Sequence, residues 1–343
     1  MLGGAIAAML NAPIPWLLGS LLLTAVLTGS GVALQKLSSP VERWMRVLIG
    51  TALGSSVAES LGGFGISTAL SIIASVVSVV LVVVGGSWYF KRFLIMTRAE
   101  AFLCSLPGGL SFMLALADDK RVATPGSRPR IALVHTVRVV SLVLFISLIA
   151  FILGTEKPQE SFVGWFTSGI VLDWQLLILF ALALFSGLLA RYLSIAGGDV
   201  TIPLVISSVA YATGVIDIQL PQIVITVAMI TFGSIIGCEL GSGPLKEYPR
   251  LAGGSIIFTT AAFVLAALFA LLFGKLTGFG FLNLFLALSP GGIAEVALIA
   301  LSLGLNVGLI AFVHLCRFLF IMLVGPLGLR FIGGASDQKK SVE

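Results

Sequence analysis

Charged side chains are scarce in this sequence. They make up 10% of its 343 residues, whereas 58% are hydrophobic. A soluble core cannot enclose that much apolar surface, so the composition predicts an integral membrane protein made of α-helices. Only two histidines and three cysteines occur, and none of them has the spacing of a metal-ligand set. We therefore expect no enzyme, no catalytic residue, no cofactor and no metal.

The sequence also lacks a long polar loop and a concentrated basic segment. The net charge is +5, but the lysines and arginines are scattered through short loops between apolar runs. A nucleic-acid partner would need a basic face, so we expect none and take the basic residues as topology signals. Cys104, Cys238 and Cys316 stand singly in apolar runs, which is typical of packing residues.

One motif occurs twice. The segment 105–110 (SLPGGL) is followed by His135-x-x-Arg138, and the segment 288–293 (LSPGGI) is followed by His314-x-x-Arg317. Proline removes a helix donor, and paired glycines leave backbone groups without side-chain cover. Inside a membrane such groups must be satisfied by protein or by a cavity, so paired breaks are typical of a transport site. The alternative is a pair of kinked helices with packing glycines. We predict that an anion binds at Pro107, Gly108, Gly109, Ser111, Pro290, Gly291 and Gly292.

Each histidine shares a helical face with its arginine, because a spacing of three residues brings side chains together. An arginine inside an apolar span is costly and faces a cavity or a partner. Two roles stay open for Arg138 and Arg317, namely binding the substrate anion and bonding the carbonyls exposed at the breaks. We assign both to the binding site, and His135 and His314 to ion coupling.

Glu295 lies three residues after Gly292, inside an apolar run. Its counterpart in the first half is Phe112, so the two halves differ here. A carboxylate at this place can relay a proton, bind a cation or form an ion pair with Arg317 or Arg138. We predict a role in ion coupling. The aspartates 118, 119, 199 and 217 are predicted to be solvated in loops.

Other landmarks recur as well. Gly50-x-x-x-Gly54 returns as Gly233-x-x-x-Gly237, at the same offset in numbering that relates Pro107 to Pro290, and Ile14-Pro15 resembles Ile202-Pro203. This agreement predicts an internal duplication. We expect a first repeat at 1–154 with a truncated first helix, a periplasmic linker at 155–173, a second repeat at 174–332 and a cytoplasmic tail at 333–343.

Basic residues distinguish the two possible topologies. If the segments 99–117 and 281–303 are re-entrant, 16 lysines and arginines face the cytoplasm and two face outside. If both segments cross fully, the division is 11 against seven. Because positive charge favours cytoplasmic loops, we predict about ten transmembrane helices in two inverted five-crossing repeats, each with a re-entrant or broken Pro-Gly-Gly helix.

These motifs resemble the membrane AbrB family over nearly the whole chain. The resemblance rests on 14–19 (IPWLLG), 106–111 (LPGGLS), Arg138, 289–295 (SPGGIAE) and Arg317. The family pattern is similar to Pro-Gly-Gly-Leu-Ser-Glu-Met, so Glu295 matches its acid and Phe112 departs from it. Members carry the labels regulator of gene expression or ammonia monooxygenase. The family is similar to the cation–proton antiporter and anion transporter superfamily, which implies inverted repeats and broken helices.

We therefore expect a multi-pass protein of the bacterial inner membrane that acts as a secondary transporter of a small anion. Access would alternate around two opposed hairpin tips, and the partners would be the lipid bilayer, the solute and a second copy in a homodimer. The alternative is a membrane sensor that affects gene expression indirectly, without transport. The sequence leaves the choice between them open.

Overall fold

A computed structural model describes residues 1–35, 37–61, 63, 65–119, 122, 126–153, 173–195, 197–241 and 248–340. Within these residues the regular structure is α-helical and contains no strand. The predicted linker at 155–173 lies outside the described residues except for Asp173, and the predicted tail begins inside a helix that continues to Lys340.

Fourteen helices occur in the described part of the chain. They are α1 (Leu2–Met9), α2 (Pro15–Gly29), α3 (Ser39–Leu61), α4 (Ile66–Phe93), α5 (Arg98–Ser105), α6 (Leu110–Ala117), α7 (Ser127–Leu153), α8 (Trp174–Leu193), α9 (Gly198–Ala212), α10 (Gln222–Gly241), α11 (Pro249–Thr277), α12 (Phe281–Leu288), α13 (Ile293–Ser302) and α14 (Val307–Lys340).

Six of these described helices are long and apolar enough to cross a membrane, namely α4, α7, α8, α10, α11 and α14. A crossing needs about 20 residues, because a helix rises about 1.5 Å per residue through a hydrocarbon core of about 30 Å. α2 and α9 have 15 residues each, and α3 has 23 but begins with charged groups. The chain is an α-helical membrane protein.

The helices are interrupted where the two proline motifs predict it. α5 ends at Ser105 and α6 begins at Leu110, while α12 ends at Leu288 and α13 begins at Ile293. Gly109 has an extended backbone, with φ −65° and ψ 143°, before α6 starts. Ser289 is likewise extended after α12, with φ −63° and ψ 142°. Four irregular residues therefore separate the two short helices at each break.

The helix pattern repeats along the chain. The helices α2 to α6 begin at residues 15, 39, 66, 98 and 110, and α9 to α13 begin at 198, 222, 249, 281 and 293. The offset between equivalent starts is the same in all five pairs, and it equals the offset between Pro107 and Pro290. The predicted match of Pro15 with Pro203 was wrong, because Pro15 begins α2 whereas Pro203 lies inside α9.

Two compact units make up the chain, and each takes helices from both halves. Unit 1 contains Met1–Gly65, Leu142–Gly243 and Ile293–Phe312. Unit 2 contains Ile66–Ser141, Pro244–Gly292 and Val313–Glu343. Both proline breaks belong to unit 2. The division of the chain into repeats at 1–154 and 174–332 stays a prediction about its ancestry.

In unit 1, glycines of one half pack against helices of the other half. A Cβ added at Gly50 would lie 2.4 Å from the carbonyl oxygen of Val200, and one at Gly233 would lie 2.4 Å from that of Leu17. Leu17 and Val200 are themselves related by the offset that relates Gly50 to Gly233. Close helix approach through small residues is the packing expected of the paired Gly-x-x-x-Gly motifs.

In unit 2, α4 and α11 run antiparallel. The Tyr89 hydroxyl donates to the carbonyl oxygen of Gly254 at 3.2 Å, and Arg250 donates to that of Phe93 at 3.2 Å. The Phe90 and Phe258 rings meet edge to face with centroids 4.9 Å apart. Residues near the end of α4 thus contact residues near the beginning of α11. These two helices occupy equivalent places in the repeating pattern.

Candidate functional site

The first break is held by two side chains of α7. His135 Nε2 lies 3.2 Å from the carbonyl oxygen of Leu103. Arg138 donates from Nη1 to the carbonyl oxygen of Leu106 at 2.8 Å and from Nη2 to that of Cys104 at 2.6 Å. The last carbonyls of a helix have no partner inside it, and they form the negative end of its dipole. His135 and Arg138 therefore satisfy the C-terminal end of α5.

The second break is held in the same way by α14. His314 Nε2 lies 2.9 Å from the carbonyl oxygen of Leu286. Arg317 donates from Nη1 to the carbonyl oxygen of Ser289 at 2.6 Å and from Nη2 to that of Gly291 at 2.6 Å. The arginine thus fixes both the end of α12 and the irregular backbone that follows it.

The two sets of bonds correspond residue by residue. The acceptors Leu103 and Leu106 recur as Leu286 and Ser289, at the offset that relates the two prolines, and His135 recurs as His314. The Nη2 acceptors differ, since Arg138 bonds to the helix end and Arg317 reaches into the break. Of the two roles predicted for these arginines, binding to carbonyls at the breaks is observed. Contact with an anion stays a prediction.

A further bond fixes the state of His314. Arg317 Nη2 lies 2.8 Å from His314 Nδ1. Because a guanidinium has no acceptor, Nδ1 must accept, and the ring proton then sits on Nε2 and is donated to the carbonyl oxygen of Leu286. Protonation of Nδ1 would place a donor against a donor and a second positive charge beside Arg317. The contact supports a positioning role for this imidazole.

The charges at the breaks are deeply buried. Arg138 and Arg317 are each 2% exposed, His135 is 2% exposed and His314 is 1% exposed. A Cβ added at Gly108 of the first break would lie 3.5 Å from Cγ2 of Ile321, one turn after Arg317 on α14, so the first break packs against the helix that holds the second. Among the described residues, neither arginine is within 4.0 Å of a carboxylate. The described part of unit 2 therefore contains two buried positive charges without an acidic partner.

The remaining residues predicted at the breaks form the irregular backbone or the helix start that follows it. Pro107, Pro290 and Gly291 are buried, while Gly108, Gly109 and Gly292 are half-buried. Gly109 precedes α6 without a side-chain cap, and Ser111 is the second residue of that helix. An uncapped helix start carries free N–H groups and a partial positive charge, which suit an anion.

Two ion pairs on the first turn of α7 were missed by the sequence reasoning. Arg130 binds Glu100 of α5, which is fully buried, and Arg128 binds Asp118 directly after α6. Thr97 and Glu100 also form a capping box at the start of α5. The beginning of α5 and the end of α6 are thus both fastened to the same turn. The signal available was the Thr97-x-x-Glu100 pattern before an apolar run.

Glu295 lies in the first turn of α13 and belongs to unit 1, whereas both buried arginines belong to unit 2. It is half-buried, and α13 packs on α3, which carries Glu42 and Arg46. The equivalent Phe112 instead packs edge to face on Phe318, with ring centroids 5.8 Å apart. Proton coupling by Glu295 stays a prediction.

Asp199 corrects one expectation. It was predicted to be solvated in a loop, but it lies in the first turn of α9 with a side chain 23% exposed. Its carboxylate is 3.7 Å from Arg43 and 3.8 Å from Arg46. A carboxylate at a helix start is stabilised by the dipole, and here two arginines add to that effect. Asp199 therefore forms a charged group with two arginines of α3.

The part of the chain that the structure describes contains no group of three His, Cys, Asp or Glu side chains that could hold a metal ion. The residues at the breaks offer N–H groups and guanidinium charge. Such donors bind anions.

Comparison with known proteins places the chain in a family. The family model described as "Transition state regulatory protein AbrB" matches residues 16–333. The "Putative regulator AbrB" of Escherichia coli (strain K12) is 24% identical over 338 residues, which cover 96% of this chain and 93% of that protein. The "Uncharacterized protein YhjN" of Bacillus subtilis (strain 168) is 24% identical over 373 residues, covering 99% of this chain and 94% of that protein. Since the match spans nearly all of the sequence, the chain belongs to the AbrB family.

Proposed function

We propose that this protein is a secondary transporter of a small anion across the bacterial inner membrane. The observation that carries the proposal is the pair Arg138 and Arg317. Each arginine is 2% exposed, each holds one helix break, and the first break packs against α14 one turn from Arg317. Buried charges are costly unless they are compensated. An anion bound at the breaks supplies that compensation.

We further propose that the two halves are inverted repeats with ten crossings in all. Equivalent helices of oppositely inserted repeats must point in opposite directions. The antiparallel contact of α4 with α11, in which Tyr89 bonds to Gly254, supports this arrangement. Such repeats carry solute sites at broken helices near the middle of the membrane.

The segment α5–α6 is proposed to be a re-entrant hairpin. Glu100 at the entry of α5 and Asp118 after α6 bind Arg130 and Arg128, which lie within one turn of α7. A chain that crossed the membrane between α5 and α6 would place these two carboxylates on opposite sides. Their common anchor supports entry and exit on one side.

The residues then have distinct roles. Arg138 and Arg317 fix the breaks through carbonyl bonds and lend positive charge to the solute site. His135 and His314 position the arginines and the helix ends, and Glu295 takes up the coupled proton. Both breaks belong to unit 2, so alternating access is proposed as movement of one bundle against the other.

The experiment is flux into proteoliposomes. The purified protein should take up a radiolabelled carboxylate or sulfonate under an ion gradient, and Arg317→Gln should abolish that uptake. Arg191→Gln, which changes an exposed arginine at the end of α8, serves as the matched control and should retain uptake. Absence of flux of any carboxylate or sulfonate, under every ion gradient applied, would contradict the proposal.

A second candidate function is a membrane sensor that affects gene expression without transport. The name of the Escherichia coli relative, a regulator, favours it. The two functions differ in one double measurement. For a transporter, Arg317→Gln abolishes solute uptake; for a sensor, the same change alters transcript levels while uptake by intact cells stays unchanged.

A further inference from the structure

We infer that the site takes a dianion in preference to a monoanion. This inference rests on the proposed function, because it names the charge class of the transported solute. Its basis is the number of uncompensated positive charges in the described part of unit 2. Arg138 and Arg317 are both buried, and no described carboxylate is paired with either of them.

The helix dipoles do not change the number of uncompensated positive charges at the breaks. Each break places one helix C-terminus and one helix N-terminus a few residues apart along the chain. A helix carries about half a negative charge at its C-terminus and about half a positive charge at its N-terminus. The two ends at one break therefore nearly cancel, and each break keeps the full charge of its arginine.

The neighbouring acidic group is already neutralised. Glu100 is fully buried one turn before Cys104, whose carbonyl oxygen accepts from Arg138. Its carboxylate binds Arg130 and accepts from the backbone N–H of Thr97 at 3.0 Å. The Glu100–Arg130 pair contributes no net charge. The charge left at the two breaks is that of two guanidinium groups.

Both arginines also keep donors for a ligand. A guanidinium has five N–H donors. Among the described residues, Arg138 uses two of them on the carbonyls of Cys104 and Leu106. Arg317 uses three, on Ser289, Gly291 and His314. Because the first break packs against α14 one turn from Arg317, three donors at one break and two at the other would bind oxygen atoms of one ligand, whose two negative charges would match the two positive ones.

The test compares ligands that differ by one charge. Succinate and succinamate share a carbon skeleton, and sulfate and methyl sulfate share a tetrahedral sulfur. Binding to the detergent-solubilised full chain is measured by titration calorimetry. The dianion of each pair is expected to bind at least tenfold more tightly than its monoanion, about 1.4 kcal/mol. Because salt screens buried charges less than exposed ones, added salt should reduce the preference for the dianion only slightly.

Variants separate charge from architecture. Arg317→Gln removes one charge, so the ratio of the dissociation constants of monoanion and dianion should fall close to one. Arg317→Lys keeps the charge and should retain part of the preference for the dianion. Size-exclusion elution and thermal unfolding identify variants that have lost their fold, and Arg138→Gln then provides the same test at the other break. Arg191→Gln should behave like the parent chain.

Two outcomes overturn the inference in different ways. If monoanions bind as tightly as the matched dianions, or more tightly, the charge argument is wrong while anion transport stands. If none of the four probes binds and no solute is taken up by proteoliposomes, the proposed function fails together with this inference.

Discussion

The side chains of Arg317 and His314 are hydrogen-bonded to each other, with Nη2 of the arginine 2.8 Å from Nδ1 of the imidazole. The arginine also holds the carbonyls of Ser289 and Gly291, and the imidazole holds that of Leu286. Two side chains on one face of α14 thus fix the end of α12 and the break behind it. The contact makes the imidazole an acceptor toward the arginine.

The first prediction concerns this imidazole. His314→Gln replaces the fixed imidazole ring with a flexible amide, and we expect uptake to fall about tenfold while its dependence on pH keeps the same shape. The reason is that His314 positions Arg317 and does not carry the coupled proton. Initial uptake rates between pH 5.5 and 8.5 provide the measurement. A flattened pH profile would instead show that His314 takes part in ion coupling, as expected from the sequence.

The second prediction compares two ion pairs on one turn of α7. Glu100 is fully buried and Arg130 is 25% exposed, whereas Asp118 and Arg128 are 59% and 55% exposed. Breaking a buried pair costs about 3–5 kcal/mol, and an exposed pair contributes about 0–1 kcal/mol. Glu100→Gln should therefore lower the free energy of unfolding far more than Asp118→Asn. Unfolding of the detergent-solubilised variants in a graded denaturant measures both, and equal losses would contradict the assigned burial.

The third prediction concerns Glu295. Replacement by Gln removes the only titrating group of that side chain, so uptake driven by a proton gradient should be lost. Exchange of labelled for unlabelled solute needs no net proton movement and should persist. Glu59→Gln, at an exposed place near the end of α3, is the control and should retain both activities. Proton-driven uptake by Glu295→Gln at the parent rate would show that the coupling group lies elsewhere.

The fourth prediction uses two helical glycines with different surroundings. A Cβ at Gly237 would lie 2.0 Å from Thr24 Oγ1 and 2.3 Å from the carbonyl oxygen of Leu21, while one at Gly253 would meet nothing within 4 Å. Gly237→Ala should destabilise the chain by about 1–3 kcal/mol, because α2 and α10 must move apart. Gly253→Ala should be neutral or stabilising, since alanine favours the helix. Thermal unfolding of the two variants distinguishes these outcomes.

Much of this architecture could be predicted from local patterns. Pro107 and Pro290 interrupt their helices as expected, because proline and glycine act on the backbone at their own positions. The offset between the two copies was readable from those motifs, and the same offset relates five pairs of helix starts. The membrane class followed from composition alone.

What could not be predicted depends on tertiary contacts. Asp199 was expected to be solvated, and only the packing of α9 on α3 brings Arg43 and Arg46 to it. Glu100 was overlooked because its partner Arg130 lies 30 residues away. The match of Pro15 with Pro203 was wrong because two identical residues are weaker evidence of equivalence than the common offset of the helix starts.

Topology labelling decides whether the two halves enter the membrane in opposite orientations, as the proposed inverted repeats require. In a chain whose native cysteines are replaced, single cysteines are placed at the exposed Ile95, before α5, and at Asn306, before α14. Reaction with a membrane-impermeant maleimide is then compared in intact cells and inverted vesicles. With inverted halves, position 95 should react only from the cytoplasmic side and position 306 only from outside. Reaction of both positions from the same side would show that the halves are not inverted.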